Sequence, residues 1–272
     1  MGGGELVFAA TLRTNIKGAR DAMVELCALL SEDMGRVVTP LSALAPSALA
    51  DALASGAAHF GWVSPTLVLM AQGLATVVPL LSSVRGGVAE YHTVLFTAPA
   101  SPLTGLEQLR GVRAAWVAPT SASGYLVIRK TLARQGVDLA RAFASEVFLD
   151  SHGAVGEAVL AGRADVGATY VEFARGDTSG RIGSAGWVDD SPGAEARILC
   201  VGGPIPADMI VAHPAVPLRE RYAFAAGLCR LAHDPVGSGP LRTVIGADDF
   251  RPVSHEALAE LDRLMKPSPN TT

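Results

Sequence analysis

The sequence predicts an α/β chain of two similar lobes, and three observations carry that expectation. Short apolar runs alternate with helical stretches along most of the 272 residues, the pattern of buried strands covered by helices. A helix–glycine–strand unit occurs twice: Ala48–Trp62 reads ALADALASGAAHFGW, and 106 positions later Ala154–Ala168 reads AVGEAVLAGRADVGA. Between an apolar run and a helical one, Ala118–Tyr125 (APTSASGY) concentrates hydroxyls and a glycine.

The elements follow in order. Glu5–Leu12 reads as a buried strand, and Gly18–Met34 as a helix stopped by Gly35, since glycine commonly ends helices. Val37–Ala43 is a strand, Ser47–Ser55 a helix, His59–Val63 a strand, Thr66–Gln72 a helix and Thr76–Ser82 a strand. Apolar strands without alternation indicate parallel pairing with both faces covered. Tyr91–Ala98 is a longer strand, Leu106–Leu109 a short amphipathic helix, and a second alternation starts at Gly111. Val112–Val117, Glu146–Leu149 and Asp165–Thr169 are its strands; Ser123–Arg134 and Ala154–Ala161 are its helices. The Gly-, Ser- and Asp-rich Arg175–Pro192 segment reads as a surface excursion. Arg197–Val201 is a strand, the chain beyond Pro217 is mostly helical, and Pro267–Thr272 is a frayed end. Two crossings, near Tyr91–Phe96 and Arg197–Gly203, make lobe one discontinuous: residues 1–92 with 201–272, and 93–200 as lobe two.

Bulk properties narrow the function. Hydrophobic residues make up 49% and charged ones 18%, which excludes a disordered chain. The formal charge of −4 offers no general attraction to nucleic acid or to anionic lipid. Cys27, Cys200 and Cys229 are too far apart for a metal site and read as buried thiols, so no metal and no cofactor is expected. No apolar run reaches the roughly 20 residues that span a bilayer, so direct membrane insertion is not expected. The start at Met1–Glu5 shows no signal-type segment, giving a periplasmic protein if a leader has been removed and a cytoplasmic one otherwise.

The hydroxyl-rich junction is the candidate site. The first turn of a helix holds N–H groups without internal partners at the positive end of the macrodipole. Thr120, Ser121 and Ser123 surround that turn, and no carboxylate fills it, so it can receive a phosphate-like anion. Ser121 or Ser123 can serve as the N-cap, and Gly124 allows close approach to the backbone. The position after a buried strand suits ligand binding, because open α/β sheets bind beyond the carboxyl ends of their strands. His152 stands at the next strand-to-helix junction, able to donate to an anionic oxygen. An anion beside it should raise its reference pKa of about 6.5, so its contribution is full at low pH and declines as pH rises. A serine hydrolase is disfavoured: the G-x-S-x-G elbow is absent, and Asp150 and His152, two apart on a strand, cannot easily relay a proton. There is no Walker lysine motif and no G-x-G-x-x-G after a strand.

These residues resemble the phosphonate/phosphite-type solute-binding proteins of ABC transporters. The likeness runs through Gly61-Trp62-Val63-Ser64-Pro65, Tyr91-His92-Thr93-Val94-Leu95-Phe96, Leu106–Gly111, Ala115–Tyr125, Ser151-His152, Ala161–Gly167, Pro206-Ala207-Asp208 and Ile245–Phe250. It implies a type II periplasmic-binding fold, two α/β lobes closing on an anion in the cleft between them. It implies that Thr120, Ser121 and Ser123 hold the anion oxygens with His152 beside them and Tyr91 lining the cleft. Gly124, Tyr170, Ser64 and Asp208 complete the candidate ligand-binding set. Two first-lobe segments where the family often carries tyrosines read Leu44-Ala45-Pro46-Ser47 and Ser64-Pro65-Thr66-Leu67, and His59 stands where the second lobe has Asp165. The resemblance implies a non-enzymatic binder of a phosphonate, phosphite or phosphate-type oxyanion serving an ABC transporter. A ligand sensor on the same fold and, less favoured, a cofactor-biosynthesis enzyme are the alternatives. Transporter membrane subunits or a signalling partner are the corresponding protein partners.

Overall fold

A computed structural model describes residues 4–12, 17–174 and 180–266. The expectations for Met1–Gly3, for part of the Arg175–Pro192 excursion and for the Pro267–Thr272 end lie outside the described residues. The chain divides into two compact units: Met1–Ala89 with Pro206–His255, and Glu90–Ile205 with Glu256–Thr272.

The first unit opens with β1 (Leu6–Thr11), α1 (Ala19–Met34), β2 (Val38–Ala43), α2 (Pro46–Ala54), β3 (Phe60–Val63), α3 (Pro65–Met70) and β4 (Val78–Val84). Gly35 ends α1 in left-handed backbone, φ 61°, with its N–H bonded to the Glu32 carbonyl; a side chain there would be strained. The second unit holds β5 (Glu90–Thr97), β6 (Val112–Trp116), α4 (Val127–Arg134), α5 (Leu139–Ala142), β7 (Phe143–Phe148), α6 (His152–Leu160), β8 (Val166–Phe173), β9 (Ile182–Ala185) and β10 (Arg197–Pro206). The chain then returns to the first unit for β11 (Met209–Ala212), α7 (Leu218–His233), α8 (Ser238–Ile245) and β12 (Asp249–Pro252). The last helix, α9 (His255–Met265), groups with the second unit, whereas the sequence pattern places it in lobe one. One tie is the Arg134 guanidinium, which donates to the Arg263 carbonyl at 3.0 Å.

The first sheet runs β12-β4-β11-β3-β1-β2. Its β3-β1-β2 part is parallel, but β11 inserts antiparallel between β3 and β4, and β12 lies antiparallel on β4. This corrects the all-parallel expectation: the returning strand β11, which no sequence signal singles out, changes the pairing of β4. The second sheet, β10-β5-β8-β6-β7 with β9 on β8, is mixed in the same way. Its β8-β6-β7 part is parallel, and β5 and β9 pair antiparallel with β8.

The repeat read from sequence extends to strand register. Phe8 pairs with Phe60 and Ala9 with Gly61 in the first unit; Ala114 pairs with Val166 and Ala115 with Gly167 in the second, each 106 positions on. The helices match as well, α2 starting at Pro46 and α6 at His152. A Cβ on Gly61 would lie 2.7 Å from Leu53, and one on Gly167 would lie 2.8 Å from Val159, again the equivalent residue. Glycine at this strand position lets the preceding helix sit directly on the sheet.

Both sheets are covered on two faces. In the first unit Leu6, Phe8, Phe60 and Trp62 pack on Met23, Leu26 and Leu30 of α1 and Phe224 and Leu228 of α7. In the second unit Ala114, Trp116, Val166 and Ala168 pack with Ile128 and Leu132 on one face. On the other, Val94, Phe96, Ala115 and Val117 pack with Val155, Val159 and Trp187.

Candidate functional site

In the second unit the carboxyl ends of β6, β7 and β8 lie side by side because these three strands are parallel neighbours. The chain leaving β6 turns at Pro119–Thr120, both exposed, and Ser121 caps the next helical turn. The Ser121 hydroxyl accepts the Gly124 N–H at 3.1 Å, a helix-cap contact that satisfies one otherwise unpaired donor. That first turn, Ala122–Leu126, is a π-turn, and only from Val127 does the helix become α4. The sequence pattern predicts one continuous α-helix from Ser123, which the π-turn corrects. Wider turns of this kind recur at functional sites.

Ser123 is buried, at 3% exposure, and its carbonyl accepts the Thr93 hydroxyl of β5 at 2.5 Å. Gly124 has a packing role that the sequence does not show. A Cβ there would stand 2.3 Å from Val117 Cγ2 and 2.8 Å from Ser121 Oγ, and its carbonyl accepts the Val117 N–H at 3.2 Å. The glycine lets the turn close onto β6.

The neighbouring junction is tied to this loop through the backbone. Leu149 N–H donates to the Trp116 carbonyl at 2.9 Å and Asp150 N–H to the Val117 carbonyl at 2.8 Å. Asp150 is the one non-glycine residue with positive φ, 62°, among the described residues. It lies past the end of β7, so the expectation that Asp150 and His152 share a strand is corrected. His152 is the first residue of α6, whose N-cap Ser151 accepts the Ala154 N–H at 3.1 Å. His152 Nδ1 lies 2.8 Å from Thr169 Oγ1, and its ring meets Tyr170 edge-on, with centroids 5.0 Å apart. The Tyr170 hydroxyl donates to Asp189 at 2.7 Å.

Tyr91 joins the same edge. Strand β5 runs antiparallel to β8, pairing His92 with Val171 and Thr93 with Tyr170, so the start of β5 lies beside the end of β8. Thr120, Ser121, Ser123, Gly124, His152, Tyr170 and Tyr91 therefore gather at one edge of the second unit's sheet. Ser64 and Asp208 belong to the first unit. There β11 pairs Met209 with Val63, which sets Asp208 beside Ser64 at the carboxyl end of β3. Ser64 caps α3, accepting the Leu67 N–H at 3.2 Å. The Asp208 carboxylate pairs with Arg85 at 3.4 Å, and that guanidinium also donates to the Ile245 and Gly246 carbonyls. Asp208 thus has a structural counter-ion in its own unit.

Sequence reasoning misses Thr169, Gly186 and Asp189, which surround His152 and Tyr170. A Cβ on Gly186 would fall 2.0 Å from Thr169 Oγ1 and 2.7 Å from His152 Cβ. No local signal marks them, because Thr169 and Gly186 meet His152, and Asp189 meets Tyr170, only through tertiary packing. The three thiols are reduced, and burial pushes Cys27 up to about 12. Among the described residues no group of His, Cys, Asp and Glu could hold a metal ion, and no helix is long and apolar enough to cross a membrane.

Two duplicated α/β units, one presenting hydroxyls and two helix starts at a sheet edge, define a type II periplasmic-binding protein. The chain belongs to the family described as "ABC transporter, phosphonate, periplasmic substrate-binding protein", whose model matches residues 8–258. Members are substrate-binding components rather than enzymes, and the family implies a periplasmic location, a small-molecule ligand and ABC-transporter membrane subunits as partners; it supplies nothing for a signalling partner.

Solved structures share the fold. XAC2383 from Xanthomonas citri bound to ATP is 22% identical over 97% of each chain, with a TM-score of 0.76. The binding component PA3383 of an ABC phosphonate transporter from Pseudomonas aeruginosa is 17% identical, covering 96% of this chain and 85% of its own, with a TM-score of 0.70. PhnD1 from Prochlorococcus marinus in complex with methylphosphonate is 15% identical over 96% of each chain, also with a TM-score of 0.70.

Proposed function

We propose that this protein captures a small oxyanion of phosphonate, phosphite or phosphate type at the carboxyl edge of β6, β7 and β8, for delivery to an ABC transporter. One observation carries the reading: two helix starts, at Ser121 and at His152, are held side by side by the Leu149 and Asp150 backbone bonds to Trp116 and Val117. Each helix start contributes N–H donors and the positive end of a dipole, so together they favour a compact anion. The neutral hydroxyls of Thr120, Ser121 and Ser123 supply directional donors, and His152 adds a ring N–H. Tyr91 and Tyr170 stand beside the anion position as walls for any organic substituent. Ser64 and Asp208 are the candidate ligand-binding residues of the first unit. A site of this type selects by shape and proton count, because each buried donor left unpaired costs about 1–3 kcal/mol.

Titration calorimetry against phosphite, methylphosphonate, phosphate and sulfate tests the reading. ATP belongs in the panel because the similar XAC2383 structure was solved with it. Binding of a phosphorus oxyanion in preference to sulfate supports the proposal. A folded protein that binds none of the panel overturns it.

A further inference from the structure

We propose that Asp190 is a specificity-determining residue of the anion site: its carboxylate, held at the start of α6, accepts the proton of an oxyanion that carries one. The ligand class rests on the function proposed above. A pair of glycines places the carboxylate. Gly153 and Gly156 both lie in the nine-residue α6, where each weakens the helix relative to alanine. Three residues apart, they share one face of the helix, and the segment after β9 lies on that face. A Cβ on Gly156 would stand 2.6 Å from Trp187 Cα, and one on Gly153 would stand 1.9 Å from Asp190 Oδ2. The missing side chains let the Trp187 backbone and the Asp190 carboxylate rest directly on α6.

The segment is fixed around this contact. Gly186 packs against His152 Cβ and Thr169 Oγ1. Asp189 N–H donates to the Gly186 carbonyl at 3.4 Å and Ser191 N–H to the Val188 carbonyl at 3.3 Å. The Asp189 carboxylate takes the Tyr170 hydroxyl of β8. Asp190 is therefore set beside the same helix start that the proposed site uses, and it is exposed. Among the described residues it makes no hydrogen bond and no ion pair, so its oxygens are open to a ligand proton. A carboxylate beside an anion repels it unless a proton lies between the two. A P–OH group donates to the carboxylate in a charge-assisted bond. An oxyanion with no proton meets it acceptor to acceptor and is rejected. Asp190 thus favours a singly protonated phosphonate, phosphite or phosphate over a sulfate or sulfonate of the same shape.

Methanesulfonate and singly protonated methylphosphonate have nearly the same shape and the same single negative charge, and they differ in the proton. The test is calorimetry of the full chain with both ligands, at a mildly acidic pH where methylphosphonate is a monoanion. Wild type is expected to prefer methylphosphonate by about tenfold or more. Asp190→Asn exchanges one acceptor oxygen for an N–H donor of the same size. It should bind methanesulfonate about tenfold more tightly than wild type does and lose the preference, with urea unfolding as the control for its fold. If the asparagine variant fails to fold, Asp190→Ala takes its place with the same expected loss of preference. Wild type that binds both ligands equally overturns the proposal without any variant. An unchanged preference in the variant overturns it too, as does an equal gain for both ligands, because the carboxylate is then a plain negative charge. If wild type binds no phosphorus oxyanion, the function proposed above fails and the role of Asp190 falls with it. If wild type binds methylphosphonate with a preference independent of Asp190, that function stands and only the present proposal fails.

Discussion

His59 Nδ1 accepts the Val7 backbone N–H at 3.0 Å, and Asp165, the residue 106 positions on, accepts the Arg113 N–H at 2.7 Å. Val7 and Arg113 are themselves equivalent in the repeat. An imidazole and a carboxylate thus do one job in the two units, receiving a donor at the second position of the first parallel strand. What looks in the sequence like a break in the repeat is the same hydrogen bond made by different chemistry. His59→Ala removes the acceptor and leaves a part-buried N–H unpaired, with an expected loss of about 1–3 kcal/mol. His59→Asn keeps an acceptor and should recover most of that loss in urea unfolding. Equal stability of the alanine and asparagine variants would overturn the assignment.

Asp165 carries a pH consequence. Hydrogen bonding to Arg113, with smaller backbone and Coulomb contributions, holds its carboxyl below the usual carboxylate range against a modest desolvation effect. The folded value lies below the unfolded one of about 3.9, so this stabilisation is present above about pH 4 and is lost as pH falls through the folded value. Wild type should therefore exceed Asp165→Asn in stability at neutral pH, and the gap should close in the acid range. The pair is well exposed, so added salt should shrink the gap too.

His92 behaves in the opposite chemical sense with the same slope. Burial lowers its pKa, partly offset by the Glu90 charge. The unfolded state then binds the proton more readily, so stability is full above the unfolded value of about 6.5 and falls as pH drops through that range toward the folded value. Replacing His92 with Gln should flatten the stability profile as pH falls below about 6.5 in parallel urea titrations. An unchanged profile would remove His92 from the account of acid sensitivity.

The parts of the fold that are legible in the sequence are those set by local pattern. The helix–glycine–strand unit is readable because Gly61 and Gly167 are needed where a helix lies on the strand, so the same spacing has to recur. The helix start after β6 is readable because serine is a favoured cap, which leaves Ser121 and Ser123 as the candidates, and His152 is readable by its place at the next strand-to-helix junction. Strand β11 is not: its four residues, Met209–Ala212, are buried by strands distant in sequence and carry no periodicity of their own. The π-turn at Ala122–Leu126 is hidden for a related reason, since it is imposed by closure of Gly124 onto Val117. Thr169 is hidden because its partner His152 reaches it only through tertiary packing.

Gly124→Ala sets two known effects against each other. Alanine gains about 1 kcal/mol over glycine from helix propensity. Its Cβ would lie 2.3 Å from Val117 Cγ2 and 2.5 Å from Val117 Cβ, and overpacking of this kind costs about 1–3 kcal/mol. Both close atoms belong to a buried residue at the end of β6, so the clash should win and the variant should be destabilised. Val117→Gly in the same chain removes both close atoms and should relieve it, appearing as a favourable coupling in a double-mutant cycle. Additive effects would mean that the turn does not need glycine to close on β6.

Ser121 and Ser123 separate capping from anion binding. The Ser121 hydroxyl is already committed to the Gly124 N–H, so Ser121→Ala is expected to lower stability by a cap's contribution, about 0.5–2 kcal/mol. Ser123 is fixed differently: its carbonyl takes the Thr93 hydroxyl, a backbone contact that alanine preserves. Ser123→Ala should leave the turn in place and weaken oxyanion affinity at least tenfold, about 1.4 kcal/mol. Chemical unfolding and calorimetry on the two variants give four values, and the expected pattern places the larger stability loss on Ser121 and a clear affinity loss on Ser123. Unchanged affinity in Ser123→Ala would reduce the hydroxyl cluster to a helix cap and move the ligand elsewhere on the protein.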